Sequence, residues 1–70
     1  MYLVIELQKQ GESLANICTA YSDQGQAEQK YHQILSAAAV STVDVHSAVL
    51  MLYDGFVLKK ETYYHNGAEE

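Results

Sequence analysis

Cys18 is the only thiol among 70 residues, so no internal disulfide can close. Arginine is missing as well: the four cations, Lys9, Lys30, Lys59 and Lys60, are all lysines, against nine acids and a net charge of -5. A chain without a guanidinium fork and with a negative field is a poor reader of bases or phosphates, which argues against a nucleic-acid partner. The four glycines, Gly11, Gly25, Gly55 and Gly67, fall into no phosphate loop, dinucleotide fingerprint or nucleophile elbow. No apolar run approaches the roughly 20 residues of a membrane span. The opening run from Met1 to Ile5 stops at Glu6 and lacks the basic start of a signal peptide. These absences point to a cytoplasmic protein with no membrane partner and no cofactor.

What is present reads as globular: 49% hydrophobic and 19% charged residues. Seventy residues hold one core at most. Ordering each residue costs roughly 1.5 kcal/mol, on the order of 100 kcal/mol in all, and a core this small only just offsets that. The usual supplements are a disulfide, a metal or a second copy. The first is excluded by the single cysteine. Cys18, His32, His46 and His65 show no paired spacing suited to tetrahedral zinc. Self-association remains, and the expectation is a homodimer.

Along the chain, Leu3, Ile5 and Leu7 alternate with Tyr2, Val4, Glu6 and Gln8, the period of a strand over residues 2 to 8. A polar break around Gly11 leads into a second apolar, β-branched stretch from Leu14 to Tyr21, so the two read as a hairpin of open register. Asp23, followed three residues on by Gln26, resembles a helix cap with its capping-box partner. Ala27, Tyr31, Ile34, Leu35 and Ala38 then form one helical stripe, and the β-branched residues after Ala39 end the helix near Val40. The Leu3/Ile5/Leu7 side is the natural surface for that helix to cover.

From Val45 to Tyr64 the chain reads as two strands turning at Asp54-Gly55, a strong hairpin signal. A two-residue loop sets Tyr53 opposite Phe56, Met51 opposite Leu58, Val49 opposite Lys60 and Val45 opposite Tyr64, the expected core side. The other side carries Ala48, Leu50, Leu52 and Val57, with Tyr63 opposite His46. It is too apolar for solvent, so His46, Ala48, Leu50, Leu52, Val57 and Tyr63 are the candidate interface. The expected architecture is α+β in the order ββαββ: a single domain over residues 1–65 with one helix on a small, mostly antiparallel sheet, then a frayed acidic tail over 66–70.

Candidate chemistry is thin. Cys18 could serve as a nucleophile with His32 or His46 as base, but its mid-strand position is that of a small buried hydrophobe. His46 could contact a ligand or titrate at an interface, though its place suits a half-exposed cross-strand residue. The acids are scattered, and Tyr63-Tyr64-His65 suits cross-strand packing better than base stacking. The best-supported function is a non-enzymatic interaction or accessory module that self-associates through strands or a sheet face and could engage a protein partner. Two other classes compete. One is a small-molecule-binding or enzymatic dimer with an interface site using His46, Tyr63 and Cys18. The other is an acidic inhibitor of a nucleic-acid-binding protein.

The stretch Gln29-Lys30-Tyr31-His32-Gln33-Ile34-Leu35-Ser36-Ala37-Ala38-Ala39-Val40-Ser41, with Val45-His46-Ser47-Ala48 after it, resembles a group of short uncharacterised proteins of Gram-positive gut bacteria and their mobile elements. The resemblance spans most of the chain and implies a bacterial accessory protein, with no site residues to carry across.

Overall fold

The structure, a computed structural model, describes residues 1–65. Its elements are β1 (Tyr2–Gln10), β2 (Ser13–Tyr21), α1 (Gln24–Ala39), β3 (Val45–Leu52) and β4 (Val57–Tyr64). The four strands form one sheet in the order β2-β1-β3-β4, each neighbouring pair antiparallel. The ββαββ order and α+β class expected from the sequence are those observed. The tail over 66–70 lies outside the described residues.

Pairing of Gln10 with Ser13 leaves Gly11 and Glu12 as a two-residue loop. Gly11 has φ +61°, which the tight primed turns of such hairpins require and glycine adopts freely. The Gly11 N–H donates to Asp44 Oδ2 at 2.9 Å, tying this loop to the segment that enters β3. The helix opens as expected: Asp23 Oδ2 accepts from the Gln26 N–H at 2.9 Å. It closes at Val40, whose N–H bonds back to the Ala37 carbonyl at 3.2 Å. Because β2 and β3 each run antiparallel to β1, α1 links two parallel strands by crossing over β1.

The Asp54-Gly55 hairpin differs from the expected two-residue turn. Leu52 donates to the Phe56 carbonyl and accepts from the Gly55 N–H, both at 2.9 Å, so the loop holds three residues, Tyr53 to Gly55. Gly55 carries the left-handed φ of +96° that closes it. The Phe56 N–H is satisfied by Asp54 Oδ1 at 3.1 Å. One residue later the register shifts: Met51 pairs with Val57, whereas Leu50 pairs with Lys59, so Leu58 is an extra residue in a bulge. The longer loop and the bulge cancel. Beyond them Val49 faces Lys60, His46 faces Tyr63 and Val45 faces Tyr64, as a two-residue turn would have set them.

The helix takes the opposite side of the sheet from the one expected. Its stripe of Ala27, Tyr31, Ile34 and Ala38 is buried against Val4, Ala48 and Leu50, with Tyr2, Tyr21 and Leu35 packed around it. The candidate interface is therefore divided. His46, Ala48 and Leu50 lie buried beneath α1, with Leu52 and Tyr63 half-buried on the same side, while Val57 pairs with Met51 on the other and is exposed. Small residues explain the choice: Ala27, Ala38 and Ala48 are all fully buried, and their short side chains let helix and sheet approach closely. The expected core side, with Leu3, Ile5, Leu7, Val49 and Met51, is the one left uncovered and only part-buried.

Leu50 and Val4 are the largest fully buried side chains. Replacing Leu50 by Ala is expected to cost about 2–5 kcal/mol, and replacing Asp23 by Ala about 1 kcal/mol through loss of the cap. Denaturant midpoints of the two variants check both values. A smaller loss for Leu50→Ala than for Asp23→Ala would contradict the placement of the core.

Candidate functional site

Two features stand out above the core: a polar pair beneath the helix and the open side of the sheet. Glu6 on β1 and His46 on β3 point to the helix side, because Glu6 pairs with Ala48, and Gln8 with His46, in the β1–β3 register. His46 Nε2 lies 2.7 Å from Glu6 Oε2, with the two side chains 5% and 16% exposed. Gln8 Nε2 donates to the same oxygen at 2.9 Å. With Glu6 ionised, His46 carries its proton on Nε2 and donates it. His46 Nδ1 is buried and has no hydrogen-bond partner among the described residues.

Burial pushes the Glu6 carboxyl up, but the hydrogen bonds from His46 and Gln8, with the charges of His46 and Lys30, outweigh it and hold Glu6 below its ordinary value. Nearby, burial first and then Glu61 and Tyr63 push the Tyr31 phenol up. Tyr63 and His65 stack with ring centroids 6.3 Å apart. His65 Nε2 meets the Ala38 carbonyl at 2.8 Å, and its backbone N–H donates to the Asp44 carbonyl at 2.8 Å. His65, the last residue of the expected domain, thereby fastens the C-terminal end of α1 to the end of β4.

The three residues proposed for an interface site do not come together. His46 is buried rather than half-exposed, and Tyr63 faces it on the covered side. Cys18 is exposed, which corrects its expected burial: its partner in the register is Ile5, on the open side, and β2 is an edge strand with nothing packed over it there. His32 sits on the outer helix surface, its ring edge against Tyr31. Among the described residues no three His, Cys, Asp or Glu side chains gather as a metal would require.

The open side is the larger feature. In β1 and β3 it presents Leu3, Ile5, Leu7, Val45, Val49 and Met51; on the flanking strands it presents Leu14, Cys18, Ala20, Val57 and Tyr64. Leu14 is 65% exposed, Val57 44% and Tyr64 41%. The charged groups on this side are Lys9, at a strand end, and Lys60, on the edge strand; it has no acid. A largely apolar surface of this extent, crossed by the uncharged Asn16, Ser47 and Thr62 and with charge confined to its margin, is the candidate contact surface. The Glu6–His46 pair escaped the sequence reading, which expected one uncovered apolar face but placed it on the side that α1 covers. The available signal was Glu6 itself, an acid within an otherwise apolar strand, on the side opposite Leu3, Ile5 and Leu7.

No protein-family model, curated protein or solved structure matches this chain.

A carboxyl held below its ordinary value favours the folded state above that value and loses this contribution as pH falls through the folded-state value. Glu6→Gln keeps the shape and removes the charge. It should lower stability at pH 7 by about 1–3 kcal/mol. The gap should close as pH falls below the ordinary carboxyl value of 4.5. Urea unfolding at pH 7 and pH 3 measures it, and a gap independent of pH would show that Glu6 is not held ionised.

Proposed function

We propose that this chain is a non-enzymatic interaction module that self-associates by packing the open face of its sheet against the same face of a second copy. The observation that carries the reading is the uncovered Leu3/Ile5/Leu7/Val49/Met51 surface, whose strand residues include no acid and which lies opposite the only helix among the described residues. Four strands of eight or nine residues at about 3.3 Å per residue and 4.8 Å spacing give a face of roughly 500 Å² in projection. Protruding side chains raise its accessible area toward the ~800 Å² per partner that a stable interface buries.

Two such faces packed about 10 Å apart form a sandwich with both helices outside. This supplies the apolar burial that a 70-residue chain lacks. The resemblance to short bacterial and mobile-element proteins supports an accessory role, and the acidic, arginine-free composition supports a cytoplasmic setting away from nucleic acid. No helix among the described residues is long and apolar enough to cross a membrane.

Val49 lies on an inner strand of the open side and is only part-buried, so a lysine there can reach solvent in the separated protomer. Light scattering across a dilution series should show the wild type as a multiple of 7.8 kDa and Val49→Lys at half the wild-type mass, with an unchanged circular-dichroism spectrum. An unchanged mass for a folded Val49→Lys variant would defeat the reading.

A further inference from the structure

The two edges of the sheet are unlike. β4 carries Lys59, Lys60 and Glu61 in succession and is bent by the bulge at Leu58. Charge and bulges are the devices by which natural edges avoid pairing with another strand. β2 has neither. Its nine residues, Ser13 to Tyr21, include no charged side chain and pair with β1 without a register shift. None of its residues is fully buried, Tyr21 at its end is the one that packs against the core cluster, and Leu14 and Ile17 stand 65% and 56% exposed.

The hydrogen-bond phase of β2 follows from one contact. The Tyr53 N–H donates to the Met1 carbonyl at 3.1 Å, continuing the β1–β3 ladder. Partners in an antiparallel pair alternate between bonded and non-bonded, so the odd-numbered residues of β1 bond toward β3 and the even-numbered ones toward β2. Glu6 pairs with Ile17 and Gln8 with Ala15, so the odd-numbered residues of β2 are spent on β1. The backbone groups of Leu14, Asn16, Cys18 and Ala20 point away from the sheet, with no strand beside them.

We infer that β2 is a second association surface and that its partner is the β2 of another copy, antiparallel about a two-fold axis at Ile17. That register uses the whole strand. It sets Leu14 opposite Ala20 of the second copy and Asn16 opposite its Cys18, so the outward-facing groups of one strand meet those of the other in four doubly bonded pairs. No like charges oppose one another, since β2 has none. The two Ile17 side chains meet on the helix side, where each is otherwise exposed. The result is a continuous eight-stranded sheet with both helices on one side. Its enlarged open face can still pack on another such sheet, and the complete assembly is then a tetramer with two kinds of interface.

Two variants address the edge without touching the core. Asn16→Pro removes an outward N–H and leaves the β1 ladder whole, the placement in which an edge strand tolerates proline. Ile17→Lys and Ile17→Glu each place like charges opposite one another across the axis. By light scattering the wild type should be four copies, and each edge variant two, with unchanged circular dichroism. Mixing Ile17→Lys with Ile17→Glu should restore the wild-type mass, which identifies a second copy, in this register, as the occupant. The register also sets the two Cys18 Cα atoms about 7–8 Å apart on a diagonal, so a short bis-maleimide should link wild-type chains in pairs and fail with Asn16→Pro. A wild-type dimer that Val49→Lys splits and the edge variants leave intact would overturn the edge pairing and keep the face reading. A wild-type dimer split by the edge variants alone would keep the edge pairing and defeat the face reading. Folded edge variants with the wild-type mass overturn it outright, leaving the edge to a strand from another protein.

Discussion

The contact between the stripe of α1 and the Val4, Ala48 and Leu50 side of the sheet sets the terms for everything else in this molecule. A strand turns alternate side chains to opposite faces, and a single helix can cover only one of them. Once Ala27, Tyr31, Ile34 and Ala38 have docked, the hydrophobic residues of the other phase have no cover among the described residues. The open face is the geometric remainder of the core.

The same contact explains the chemistry beneath the helix. The covered side of β1 is its more polar one, with Glu6 and Gln8 alongside Val4; the β1–β3 register sets His46 within 2.7 Å of Glu6, and the pair lies on the side that the helix covers. A buried carboxylate is tolerated only with hydrogen bonds to its oxygens. Glu6 has two donors on one oxygen and keeps 16% of its side chain exposed, at the margin of the core rather than its centre. His65, reaching the Ala38 carbonyl from the end of β4, and Asp44, accepting from Gly11, close the same end of the molecule. These polar contacts locate the helix ends against the sheet. The apolar stripe holds it there.

The two sheet edges extend the asymmetry between the faces. The β4 edge bears charge and a bulge; the β2 edge is regular and uncharged, and meets the core cluster through Tyr21 at its end. The least covered surfaces, the open face and the β2 edge, meet along the Leu14, Cys18 and Ala20 positions of one strand.

Much of this was readable along the chain. The alternation in β1, the stripe and Asp23 cap of α1, its end at Val40 and the turn at Asp54-Gly55 are each encoded within a few residues, in side-chain period and backbone preference. The three-residue loop changed the partner of Met51 from Leu58 to Val57, but the bulge at Leu58 restored the expected partners of β3 from Leu50 back to Val45. The side that the helix covers was not readable. Leu3, Ile5 and Leu7 are more apolar than Tyr2, Val4, Glu6 and Gln8, and local hydrophobicity favoured the wrong phase. That choice depends on the route from Tyr21 to Val45 across β1 and on where the alanines of α1 and β3 can meet, which joins residues in separate elements 10 or more positions apart. Elements were decided by local chemistry; the exposed face, the buried Glu6–His46 pair and the unguarded edge were decided by how close packing chose between two apolar phases.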